Sequence, residues 1–90
     1  MELIVKMDDK ILVELVVPIL EEKYDIFIPA NIRIGHVIEL CSKAVCDLSG
    51  GYFTLSDTTI LYNGENGTMY SIDLLVRNTD IRNGTRLILM

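Results

Sequence analysis

Ile34-Gly35-His36-Val37-Ile38-Glu39-Leu40-Cys41-Ser42-Lys43-Ala44-Val45-Cys46-Asp47-Leu48, closed by Ser49-Gly50-Gly51, is the stretch that decides the fold. Ile34, Val37, Ile38, Cys41, Val45 and Leu48 recur at spacings of three and four, which puts them on one face of a helix. Arg33, Gly35, His36, Glu39, Ser42, Lys43 and Asp47 sit mostly on the other face. The helix is expected to begin near Asn31 or Arg33, and Ser49-Gly50-Gly51 stops it with residues suited to a left-handed cap. A single apolar stripe needs one surface to bury against, and the flanking sequence supplies strands for it.

Upstream, Ile11-Leu12-Val13-Glu14-Leu15-Val16-Val17-Pro18-Ile19-Leu20 is rich in β-branched residues and reads as a strand. Glu21-Glu22-Lys23 is its turn, and Tyr24-Asp25-Ile26-Phe27-Ile28-Pro29 alternates as the second strand of a hairpin, closed by Pro29. Downstream, Tyr52 to Thr58 reads as a loop, with Tyr52, Phe53 and Leu55 as residues that can pack onto the core. Thr59-Ile60-Leu61-Tyr62 is a short strand, Asn63-Gly64-Glu65-Asn66-Gly67 is turn chemistry, and a second short strand is expected near Met69 to Ser71. Ile72 to Asp80 is read as irregular, anchored by Leu74, Val76 and Ile81. After the Asn83-Gly84 turn, Thr85 to Met90 is the closing strand. Residues 1–10 are expected to form an N-terminal extension or edge strand, and 11–90 the domain.

Hairpin, helix, two short strands and a final strand describe an α+β fold in which one helix crosses a mixed sheet of four to five strands. This is the β-grasp plan. At 90 residues the chain has room for one domain. It is 50% hydrophobic and 23% charged, a globular balance that argues against disorder. A mean hydropathy of +0.36 is high for so small a domain and leaves apolar surface outside the core. The net charge of -5, with no cluster of Lys or Arg, disfavours a phosphate backbone as partner. No secretory leader pattern is visible, and the apolar run Leu15 to Leu20 is interrupted by Pro18 and falls far short of the ~20 residues a membrane span needs.

Three stretches carry a resemblance: Val13 to Pro29, Ile34-Gly35-His36-Val37-Ile38-Glu39-Leu40, and Asp80-Ile81-Arg82-Asn83-Gly84-Thr85-Arg86-Leu87-Ile88-Leu89. Over roughly residues 11–90 the chain resembles ubiquitin-like proteins, and more narrowly the YukD/EsaB family associated with type VII (WXG-type) secretion in Gram-positive bacteria. The resemblance implies a cytoplasmic accessory or regulatory component of that apparatus, recruited to its membrane-bound parts and partnered by secretion-system proteins. Conjugated relatives and sulfur carriers end in a flexible Gly-Gly tail, whereas this sequence stops at Met90 in the closing strand. Conjugation is therefore not expected, and Gly50-Gly51 reads as a helix stop. A sulfur-carrier-like or small-enzyme role is the alternative, and a domain that only self-associates is the third reading.

Chemistry-bearing residues are sparse. His36 and Cys41 lie on different sides of the helix, which disfavours a Cys-His nucleophile. One His and two Cys without paired spacing make no zinc site. Cys41 and Cys46 are turned roughly 140° apart and are not expected to bond to each other. Cys41 reads as a core thiol, Cys46 as a flank thiol. No catalytic residue, metal or cofactor is expected. The sheet says more. If Val13, Leu15, Val17 and Ile19 face the helix, Leu12, Glu14, Val16 and Pro18 face away, joined by Asp25, Phe27, Arg86 and Ile88. Leu12, Val16, Phe27 and Ile88 are the expected protein-interaction face, with Val16, Phe27 and Ile88 forming one continuous apolar surface around an aromatic centre.

Overall fold

The computed structural model describes residues 10–90. The expected strand or extension over residues 1–10 therefore lies outside the described residues, apart from Lys10, which opens the first strand. β1 (Lys10–Val17) and β2 (Glu22–Pro29) form an antiparallel hairpin, α1 (Ile34–Leu48) follows, and β3 (Leu61–Asn63) and β4 (Arg86–Leu89) complete the sheet. The strand order is β2-β1-β4-β3, with β1 and β4 parallel and the other neighbours antiparallel. A parallel pair cannot be joined by a tight turn, and the helix carries the chain from the β2 edge to β3 at the opposite edge, from which a second connection leads back to β4 in the centre.

The hairpin departs from expectation at its turn. Pro18 has no N–H to give a ladder and its fixed φ suits a 3-10 turn, so β1 stops at Val17 and Pro18–Leu20 forms such a turn. Glu21 closes it at a φ of 55°, its N–H donating to the Pro18 carbonyl at 2.9 Å. Ile19, expected to point at the helix, is instead 77% exposed, because alternation ends where the strand does.

Helix α1 matches its expected span. Val37, Ile38, Cys41 and Val45 are buried against Val13, Leu15 and Val17 of β1, Ile28 of β2, and Leu61, Leu87 and Leu89 of the remaining strands. Arg33, at the N-cap, makes no capping bond through its side chain. The first helical donors go instead to the connection before β4: Ile34 N–H to the Leu74 carbonyl at 2.8 Å and Gly35 N–H to the Ile72 carbonyl at 3.0 Å. In return Val76 and Arg77 donate to the carbonyls of Ile32 and Ala30, each at 2.9 Å. This clasp sinks Val76 and Ile81 into the core, while Leu74, expected as a third anchor, is exposed because its carbonyl rather than its side chain faces the helix. The expected strand at Met69 to Ser71 reduces to a single bridge between Tyr62 and Met69. Of the loop residues, Phe53 is buried and Tyr52 and Leu55 are exposed.

The turns are tied down by backbone bonds. Gly64 N–H donates to the Arg86 carbonyl, Gly67 N–H to the Asn63 carbonyl and Gly84 N–H to the Leu12 carbonyl, each at 2.8 Å. Asn63 is buried, its Oδ1 accepting from the N–H groups of Glu65 and Asn66 and its Nδ2 donating to the Tyr70 hydroxyl at 2.9 Å. That hydroxyl donates to Asp80 Oδ1 at 2.7 Å.

Candidate protein-interaction face

Helix α1 covers one side of the sheet, and the side chains on the other side fall into three rows set by the strand register. In the first row Phe27 stands beside Leu12, its register partner, and the Asn83-Gly84 turn takes the place of β4. Leu12 N–H donates to Asn83 Oδ1 at 2.9 Å, which fixes that turn against the strand. In the second row Asp25, Glu14 and Arg86 lie side by side, and Arg86 Nε donates to Glu14 Oε1 at 2.7 Å. In the third row Lys23, Val16, Ile88 and Tyr62 cross all four strands.

The four expected residues are therefore all on the side of the sheet opposite α1, but they do not form one surface. Leu12 pairs with Phe27 and Val16 pairs with Ile88. Successive residues on one face of a strand stand ~7 Å apart, so the charged row separates the two apolar pairs by ~13 Å. The continuous apolar surface expected around Val16, Phe27 and Ile88 is corrected to two apolar rows flanking an ion pair. Strand alternation alone assigns a residue to a face; which residues become neighbours depends on register between strands distant in sequence. The same register adds a residue that sequence reasoning missed. Tyr62 sits next to Ile88, and its signal is the antiparallel pairing of β3 with β4.

Phe27 is 64% exposed and Leu12 38%, while Val16, Ile88 and Tyr62 are half-buried. The hydrogen bond from Arg86, reinforced by its charge, holds the Glu14 carboxyl below its ordinary range. Glu14 is thus ionised at neutral pH, and the middle row presents a closed ion pair beside Asp25. A partner with apolar contacts either side of a polar stripe fits such a face.

Other reactive groups do not meet. His36 is exposed on α1, whereas Cys41 is buried and burial pushes its thiol up to about 11, so it stays protonated at neutral pH. Cys46 is half-buried, and both thiols are free. Among the described residues no three His, Cys, Asp or Glu side chains are grouped to hold a metal ion, and no helix is long and apolar enough to cross a membrane.

No family model matches the chain, and no curated protein matches it in sequence. Solved structures do match it. The EccD5 ubiquitin-like domain from Mycobacterium xenopi aligns with a TM-score of 0.66 at 15% identity, over 90% of this chain and 92% of that one. A chain of the MycP5-free ESX-5 inner membrane complex aligns with a TM-score of 0.66 at 10% identity over 91% of this chain, which spans only 21% of that one. A chain of the toluene 4-monooxygenase HD complex aligns with a TM-score of 0.70 at 7% identity, over 89% of this chain and 95% of that one. At such identities the likeness speaks to architecture, since one fold serves unrelated activities. One helix laid across a four-stranded mixed sheet in the order β2-β1-β4-β3, together with the likeness to these chains, makes this protein a ubiquitin-like β-grasp fold.

Proposed function

We propose that this protein is a ubiquitin-like protein-interaction module, not an enzyme, that serves a type VII secretion system as a YukD/EsaB-like accessory or regulatory component. The observation that carries the reading is Phe27, a large aromatic side chain 64% exposed at one end of a sheet face that has no covering layer among the described residues. Aromatic residues set among apolar neighbours commonly dominate binding energy at protein interfaces. Support for the secretion setting comes from the sequence resemblance and from the architecture shared with the EccD5 domain and the ESX-5 inner membrane complex chain. On this reading the module works in the cytoplasm and docks onto membrane-bound secretion components through the rows of Phe27 and Val16.

The test is complementation. In a host deleted for this gene, export of a WXG-type substrate is measured by immunoblot of the culture medium, after restoring either the wild-type protein or Phe27→Asp. Wild type is expected to restore export and Phe27→Asp to fail, with circular dichroism showing the variant folded. Export unchanged by the deletion would overturn the secretion role. Full rescue by folded Phe27→Asp would overturn the face.

A further inference from the structure

Strand β2 is an edge strand, and among the described residues no strand pairs with its outer side. Its free groups follow from the bonds of β1. Glu14 N–H donates to the Thr85 carbonyl, and the Leu12 carbonyl accepts from Gly84 N–H, so the backbone groups of Leu12, Glu14 and Val16 face β4. Alternation turns those of Val13, Leu15 and Val17 toward β2, where their register partners are Ile26, Tyr24 and Glu22. The N–H and C=O groups of Lys23, Asp25 and Phe27 are left pointing out of the sheet edge. Pro29, with no N–H, and the left-handed Glu21 bound this short ladder at its two ends.

Edge strands are commonly blunted by charged side chains, and here the two charges, Lys23 and Asp25, are opposite in sign and two residues apart on the same face. Such a strand is complementary to itself. When two copies pair antiparallel about a two-fold axis at Tyr24, Lys23 of each stands directly opposite the partner's Asp25, and both are residues whose backbone groups face the edge. An axis at Asp25 sets two carboxylates against each other, and an axis at Ile26 sets each Asp25 against Phe27. On the helix side, the Tyr24 axis falls beside an open groove lined by Leu20, Glu22, Tyr24, Leu48, Ser49 and Tyr52, of which Leu48 is 64% and Tyr52 82% exposed. Tyr24 and the exposed Tyr52 thus border the edge along which the two copies would pair.

We infer that a second copy of this chain pairs along β2 in the Tyr24-centred register, joining two sheets into one of eight strands. The inference rests on backbone pairing along the β2 edge and not on Phe27, although Lys23 and Asp25 share the sheet face on which Phe27 stands. The full chain is examined by sedimentation from about 1 µM to about 1 mM, a range matched to a small interface. Monomer–dimer equilibrium is expected, with Lys23→Glu and Asp25→Lys each weakening it about tenfold or more by setting like charges opposite at both symmetric positions. Mixing the two variants restores opposite charges at both positions, so the mixture is expected to dimerise as wild type does. Recovery by mixing also shows that each variant was folded. A monomer at every concentration overturns the inference, as does a dimer indifferent to either single substitution or a mixture that fails to recover.

Discussion

At the scale of single residues, the middle row of the sheet face hangs on the absence of a side chain at Gly64. A Cβ there would come within 2.5 Å of Arg86 Cγ and 2.9 Å of its Cδ, atoms near the root of the side chain that cannot swing clear without moving the guanidinium. Gly64→Ala is therefore expected to lift Arg86 off Glu14 without touching either charge. Because the folded-state pKa of Glu14 is depressed, its favourable contribution is present above the unfolded-state value and is lost as pH falls through the folded one. Proton titration of the Glu14 carboxyl by NMR should show the midpoint rising toward the ordinary glutamate value in Gly64→Ala and in Arg86→Ala. An unchanged midpoint in Gly64→Ala would mean that the Arg86 stem finds another path. Both groups are solvent-exposed, so the variants are expected to alter the character of the face more than the stability of the domain.

At the scale of elements, the helix and the turn beside it make opposite predictions for two isoleucines. Ile38 is 5% exposed on the buried side of α1, so Ile38→Ala is expected to cost about 2–5 kcal/mol in denaturant unfolding. Ile19 in the 3-10 turn has no such packing, and Ile19→Ser is expected to change stability by less than about 0.5 kcal/mol. The helix, the hairpin and the closing strand were legible in the sequence because each repeats its apolar residues with a period its own geometry dictates. The place of Ile19 is not legible, because the alternation of Val13, Leu15 and Val17 formally continues through Pro18, although a proline ends the ladder. The clasp on the helix start was not legible at all. Its acceptors, the Ile72 and Leu74 carbonyls, are backbone groups far along the chain, and no residue type announces them.

At the scale of the whole molecule, one layer of helix on one layer of sheet leaves a face and an edge that neighbouring proteins can use separately. Strand alternation shows which residues leave the core, and Leu12, Val16, Phe27 and Ile88 stand on the side of the sheet opposite α1. It does not show that Glu14 and Arg86 divide them, because that depends on β1 and β4 lying parallel in one particular register. The role of these residues in binding is a matter for the complementation and sedimentation experiments, whose outcomes are separable because sedimentation of the purified chain reads only self-pairing along the β2 edge, whereas complementation with Phe27→Asp leaves Lys23 and Asp25 in place.

The bonds that hold the turns also bear on how the protein ages. Asn63-Gly64, Asn66-Gly67 and Asn83-Gly84 are the pairing most prone to spontaneous deamidation, in which the glycine nitrogen attacks the asparagine side-chain carbonyl, ammonia leaves, and water opens the resulting succinimide to aspartate or isoaspartate. In each of the three, that glycine N–H is donated to a backbone carbonyl, of Arg86, Asn63 and Leu12 respectively, and rotation toward the side chain would first break that bond. Incubated at mildly alkaline pH and followed by peptide mass spectrometry, the folded protein is expected to deamidate at these sites far more slowly than the same chain in urea. Equal rates would show that the turns open too readily to protect them. If the protection holds, slow accumulation of isoaspartate at these three positions serves as a chemical clock for the time a molecule has spent unfolded.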